Sequence, residues 1–267
     1  MSVRSTWRAL PTVMRVGLAE AVAYRAEMLV WVLATTMPLI MMALWTAVAR
    51  DAPVGRFDSQ DFVAYFLATF IVRQLTGTWV AWQLNYEVRQ GTLAQRLLRP
   101  FHPLVAYGVE HLAAIPMRLV VAVPVAFLAI ALVGQQALPR TVGMWAIWFL
   151  SIVGGFLISF LASAAIGTLS FFMQSSIKVM EVWFMLFMVL SGYLFPLDLL
   201  PPWALTAVNL LPFRYQIGLP VEVMTGLHDW KGALLLLAGQ WVWVSALLAA
   251  TVLAWRAGLR RFAAFGG

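Results

Sequence analysis

Little in the chain is equipped for catalysis. Its only lysines, Lys178 and Lys231, are followed by Val179 and Gly232, so there is no G-x-x-x-x-G-K-[ST] phosphate loop and the chain cannot be its own P-loop ATPase. The three histidines, His102, His111 and His228, form no H-E-x-x-H pair, and no metal site is expected. No acid stands with a Ser and a His in a recognisable catalytic order. The absence of cysteine removes thiol catalysis, disulfides and thiolate metal sites together. Neither an enzyme nor a cofactor carrier is expected. The residues that call for an account are charges in apolar surroundings. Arg73 lies in the middle of one long apolar run and Arg118 about two turns into another. Burying such a charge costs at least ~2.5–3.5 kcal/mol on insertion scales, so these arginines line a polar path or pair between helices, unless they snorkel to an interface or bind lipid headgroups. Glu181 stands near the start of a further run.

The elements that hold these residues must be built in lipid. Of 267 residues, 63% are hydrophobic and 11% charged, with a mean hydropathy of +0.86. Soluble domains use about 45–50% apolar and about 25% charged residues, so a water-soluble fold and a disordered chain are both excluded. Only a helical bundle or a closed barrel satisfies its backbone inside hydrocarbon, and unbroken apolar runs of about 20 residues fit helices. The reading is an all-α polytopic membrane protein with spans over residues 28–49, 62–82, 112–133, 141–169, 179–196 and 233–255. Six spans put both termini on one side. That side carries Arg4, Arg8, Arg15, Arg25, Arg89, Arg96, Arg99, Lys178, Arg256, Arg260 and Arg261; the other carries Arg50, Arg56, Arg140, Arg214 and Lys231. The positive-inside rule then makes both termini cytoplasmic, and the net charge of +7 speaks of topology, not nucleic acid. The outer loops take Asp51, Asp58, Asp61, Asp198, Glu222 and Asp229.

Before the first span, Trp7, Leu10, Met14, Leu18 and Ala21 recur at helical spacing, which predicts a surface helix within residues 1–27 despite Pro11 and Gly17. Ala47-Val48-Ala49 imitates a signal cleavage site, but the apolar stretch is longer than a signal core, so the first span is read as retained. Residues 257–267 form a cytosolic tail. Between spans two and three, Thr92 and Gln95 have capping-box spacing, Arg96 and Arg99 sit at the negative end of a short helix, and Pro100 stops it. Leu93, Leu97 and Leu98 give that helix a greasy side. It is built to be gripped by a partner, or else it is a connector packed on its own bundle; spacing leaves both open. In span four, Ser151, Gly155, Ser159, Ser163 and Gly167 form a small-residue ladder suited to close helix packing. Residues 195–226 are too apolar for a solvated loop and too broken for a span. Pro201 and Pro202 suit one short helix, Pro212 ends it, and a second runs to Thr225 before Gly226; the two dip into the outer leaflet and return, or lie along it, packing on the mouth of the bundle.

The pattern from Glu87 through Gly91-Thr92-Leu93 to Leu97-Leu98-Arg99-Pro100, then Leu200-Pro201-Pro202-Trp203 and Asn209 to Pro212-Phe213-Arg214-Tyr215, resembles the ABC-2 type permeases along essentially the whole chain. The resemblance implies a permease subunit of a bacterial plasma-membrane exporter, working as a homo- or heterodimer on two cytosolic P-loop ATPases that use ATP and Mg. Under it, Thr92, Leu93, Gln95, Arg96, Leu97, Leu98 and Arg99 correspond to the coupling helix that docks on the ATPase. The surface helix around Trp7 to Glu20 corresponds to the connecting helix, and Pro201 to Gly226 to outer re-entrant helices. Spans one and five would meet across the dimer, placing Trp183, Phe184, Phe187 and Met188 on the path with Arg73, although lipid contact or plain packing would also account for the four apolar residues. The run from Leu97 to Pro103 is similar to a bacterial subgroup with unassigned substrates. A hydrophobic or amphipathic small molecule or lipid is the expected cargo, a polysaccharide or glycolipid the alternative. An ion-coupled transporter without an ATPase, or an intramembrane enzyme or lipid-binding scaffold, stays open on the residues alone.

Overall fold

Prolines and short polar side chains set where the helices begin. Pro38 lies in the first turn of α1 (Met37–Val48), where its missing N–H leaves no bond unmade. Asp58 and Asp61 cap α2 (Ser59–Thr76) reciprocally: the Asp61 N–H donates to Asp58 at 2.8 Å and the Asp58 N–H to Asp61 at 3.0 Å. This computed structural model describes residues 35–99, 101–133, 138–139 and 141–262, with scattered helical positions between 11 and 30. Most of the expected surface helix, including Trp7, Leu10 and Ala21, lies outside the described residues, as do the opening part of the first span, Pro100 and the end of the tail.

The run expected as a single span over 62–82 is two helices. Gly77 takes an extended backbone (φ −68°, ψ 136°), and α3 (Val80–Gln90) starts only after Trp79. At the far end of α3, Gly91 turns the chain with φ +73°, the left-handed conformation that a residue with a Cβ resists. Then follow the five-residue α4 (Leu93–Leu97), α5 (Pro103–Ala113) and α6 (Ile115–Val133). The helical stretch over the expected third span thus extends back to Pro103, ahead of residue 112. Thr141 caps α7 (Val142–Thr168), and α8 covers Ile177–Leu190. Helices α9 (Pro202–Asn209) and α10 (Arg214–Met224) keep the expected proline and glycine punctuation, and α11 (Trp230–Leu259) is capped by Asp229. Among the described residues, Pro103–Leu132, Val142–Phe171 and Trp230–Leu259 are long and apolar enough to cross a membrane.

Helix α7 is the hub, with α2, α3, α10 and α11 packed around it, while α1 and α6 lie on α2. Its small residues make those approaches possible. Gly167 faces the backbone of Ala81, and a Cβ on Gly155 would stand 2.8 Å from the carbonyl oxygen of Gln216. That carbonyl is free to crowd Gly155 because Pro220, four residues on, has no N–H to give it.

In helix α10 all of Arg214–Met224 is buried, packed against α7 and α2. Several of its polar groups are met internally. Gln240 of α11 donates to the carbonyls of Tyr215 and Ser151 at 2.7 and 2.9 Å. Arg214 and Glu222, expected in the outer loops, pair with each other at 2.6 Å; Arg214 also bonds Asn209, and His228 meets Glu222 at 2.7 Å.

Adding one carbon at Gly155 should cost about 1–3 kcal/mol through overpacking against backbone. Gly155→Ala is expected to lower the melting temperature in detergent, whereas Gly108→Ala, whose Cβ would make an ordinary 3.5 Å contact with Phe160, should leave it unchanged or raise it. Equal melting temperatures for the two variants would contradict this packing.

Candidate functional site

The interruption between α2 and α3 leaves backbone groups without helical partners, and side chains from three other helices take them up. Arg118 of α6 donates from Nη1 to the carbonyls of Gln74 and Gly77, at 3.2 and 2.8 Å. The Trp79 N–H donates to Nε2 of His111, at 3.1 Å. Because Nε2 accepts, the ring proton sits on Nδ1, which faces the Tyr107 carbonyl at 2.8 Å. The Ala81 N–H donates to Ser163 Oγ at 2.9 Å, and Thr78 Oγ1 donates to the Ser159 carbonyl at 3.3 Å. The ladder on α7 thus does more than permit close packing: Ser163 terminates a helix, and Ser159 Oγ also bonds Gln216 Oε1 at 3.0 Å. Ser151 turns back on the Trp148 carbonyl at 2.7 Å.

Beside the interruption lies a cavity of about 320 Å³. Arg73, Trp183, Phe184 and Phe187 stand together on its wall, joined by Arg118, Gln74, Gln216 and the tryptophans 79 and 82. Met188 is not on the wall; it packs against the aromatic core around α2. The Arg73 guanidinium lies 5.1 Å above the Phe187 ring, which stacks on Phe184 at 5.7 Å. Arg118 is only 5% exposed and lies 4.9 Å above Trp79, so it does not snorkel: its charge is spent inward on the carbonyls of the interruption. Neither arginine forms an ion pair among the described residues. Gly77, Gln74 and Gln216 escape a reading of the sequence by hydropathy. The one local signal is the Gly77-Thr78 pair inside an apolar run.

A second cluster holds α4. Arg96 donates to both carboxylate oxygens of Glu87, at 2.9 and 2.7 Å, and to Glu110 at 2.6 Å. Tyr107 donates to Glu87 at 2.5 Å and lies 4.2 Å beneath the guanidinium, and Gln83 donates to Glu110 at 2.9 Å. Burial works against the Arg96 charge, but hydrogen bonds to the two carboxylates outweigh it and hold its pKa above the ordinary guanidinium value.

Three expectations for this helix are corrected. Thr92 is helical in φ and ψ and makes no capping bond; its hydroxyl meets the Glu87 carbonyl at 3.5 Å, so the turn at Gly91 organises the start in place of a capping box. Arg96 is an internal pin, not an exposed charge. The leucines do not share one side: Leu93 is fully buried and Leu97 packs on the same core, while Leu98 is 87% exposed. The outward side consists of Thr92, Gln95, Leu98 and Arg99.

A family model described as "ABC-2 family transporter protein" matches residues 29–266, a stretch that takes in the interruption, the cavity and α4 alike. No curated protein and no solved structure matches the chain.

Leaving a buried donor or acceptor unpaired costs about 1–3 kcal/mol. Ser163→Ala is therefore expected to lower the melting temperature by stranding the Ala81 N–H, and Arg118→Met to lower it further by stranding two carbonyls. Wild-type unfolding curves for both would show that the interruption is satisfied by other groups.

Proposed function

The chain belongs to the ABC-2 transporter family and is a multi-pass membrane permease of an ABC transporter; we propose that it forms the path of an exporter as a dimer, driven by two copies of a separate cytosolic ATPase. In this reading residues 28–256 make a six-span domain in a bacterial plasma membrane. Residues 1–27 form a surface helix and 257–267 a tail, with both termini cytoplasmic. The ATPase binds and hydrolyses ATP with Mg; this chain binds neither.

The observation that carries the proposal is the mechanical link from α4 to the cavity. Helix α3 starts in the cavity wall at Trp79 and Trp82 and ends at the Gly91 turn into α4, a rigid rod of about 16 Å at 1.5 Å per residue. Arg96 locks α4 to Glu87 on α3 and Glu110 on α5, so a push on the outward side of α4 moves both helices. Asn85, midway along α3, accepts from the Ser176 N–H at 3.1 Å and links the rod to the start of α8, which carries the opposite wall.

Closure of the ATPases on ATP would supply the push. Only a difference in ATP affinity between the two arrangements can bias the shift. The exposed apolar sides of α1 (Ile40, Leu44 and Val48) and α8 (Val182, Met185 and Val189) supply surface for the second permease or for lipid. The aromatic wall favours a hydrophobic or amphipathic cargo, small molecule or lipid, over a polysaccharide.

Leu98→Asp combined with Arg99→Glu should leave the permease in the membrane and abolish co-purification of the ATPase that the native protein retains. Unchanged association would sink the assignment of α4. Arg96→Gln is expected to act differently: breaking a buried pair costs about 3–5 kcal/mol of local order, so cargo-stimulated ATP hydrolysis should fall while association persists.

A further inference from the structure

We propose that the cavity beside the interrupted helix binds the anionic head of an amphipathic molecule, a phosphate or carboxylate on an apolar body, with Arg73 and Arg118 as its charge partners. The inference deepens the permease reading and rests on it for calling the bound molecule cargo. Two guanidinium groups share this wall and flank Gly77, where an added Cβ would lie 3.6 Å from Nη1 of Arg73 and 3.8 Å from Nη1 of Arg118. Glu181, the one carboxylate of the wall among the described residues, is exposed at its edge and already bonded to Lys178 at 3.2 Å. Arginine is costly within a membrane and persists where a partner offsets the cost. For Arg118 the carbonyls of Gln74 and Gly77 engage one nitrogen; they bring no negative charge.

The wall also has donors to spare. Nη2 of Arg118 and Nε2 of Gln216 have no hydrogen-bond partner among the described residues. Helix α3 begins in the same wall, and the positive end of its dipole adds to the field. A cationic cargo would meet three sources of repulsion here, an anion three of attraction.

The apolar body follows from the other half of the lining. Trp82 and Phe184 are exposed where the cavity reaches the protein surface, and Phe187 closes it inside. A volume of about 320 Å³ is at the small end of ligand sites, enough for a head group and the first carbons of a chain. The remainder of the chain leaves between Trp82 and Phe184, into the apolar surroundings.

The natural absence of cysteine gives a direct test. In purified Phe184→Cys protein, labelling by N-ethylmaleimide reports occupancy of the cavity, and Leu98→Cys serves as a remote control. Dodecyl phosphate is expected to slow labelling of Phe184→Cys about tenfold or more without affecting Leu98→Cys. Dodecyltrimethylammonium, dodecanol and inorganic phosphate should each protect far less. Adding Arg73→Gln should raise the concentration for half protection by about tenfold or more, and Arg73→Lys should recover part of the loss. Equal protection by the ammonium or the alcohol would overturn selection for an anion, equal protection by inorganic phosphate would overturn the amphiphile, and no protection would overturn both. The charge series needs no arginine variant, so a poorly folding Arg73→Gln does not spare the proposal. No ATPase enters the experiment, so its outcome is independent of whether α4 docks one.

Discussion

Hydrocarbon offers no hydrogen bonds, and a helix interrupted within a membrane has to find every one of them in protein. In the six-span reading proposed above, the chain between Gly77 and Trp79 is under that constraint, and side chains of α5, α6 and α7 are arranged around it. Arg118 lies where two carbonyls need a donor, His111 carries its proton on Nδ1 because a tryptophan N–H needs Nε2, and the α7 ladder places a serine where α3 needs a cap. A continuous helix would need none of these groups. It would also leave no recess for two arginines and a band of aromatic rings.

The same interruption gives the α2–α3 segment two mechanical parts. Helix α2 belongs to the bundle, buried on α7 and α10 and overlaid by α1 and α6. Helix α3 is tied at its far end to α4 and α5 through Arg96. In the permease proposed above, a joint set in the wall of a cavity is where a displacement of α4 would reach the path, with α3 turning against α7, on which it also packs. Side-chain bonds at a joint can exchange partners, whereas a backbone ladder cannot do so without unwinding.

The sequence discloses this architecture unevenly, for physical reasons. The long stretches Pro103–Leu132, Val142–Phe171 and Trp230–Leu259 are legible because a bilayer demands length and apolarity together, and α9 and α10 because proline and glycine act locally. The interruption at Gly77 is nearly silent, since averaging hydropathy over a window erases a two-residue break and its partner Arg118 is 41 residues away. A five-residue helix has too few turns for periodicity to show which leucine faces in, and the pinning of Arg96 depends on Glu87 and Glu110, residues on two other helices. Resemblance alone puts Trp183, Phe184 and Phe187 on the path, and composition gives no reason to separate them from Met188. Only the cavity does that.

The distance in sequence between the interruption and its partners bears on how the protein is made. Ala81 waits for Ser163, 82 residues later. At 5–20 residues per second of synthesis, that delay is about 4–16 s. During it the nascent α2–α3 segment carries unpaired amide and carbonyl groups that lipid cannot satisfy. In the six-span reading proposed above, its insertion would be completed by the arrival of α5, α6 and α7 and not by its own hydrophobicity alone.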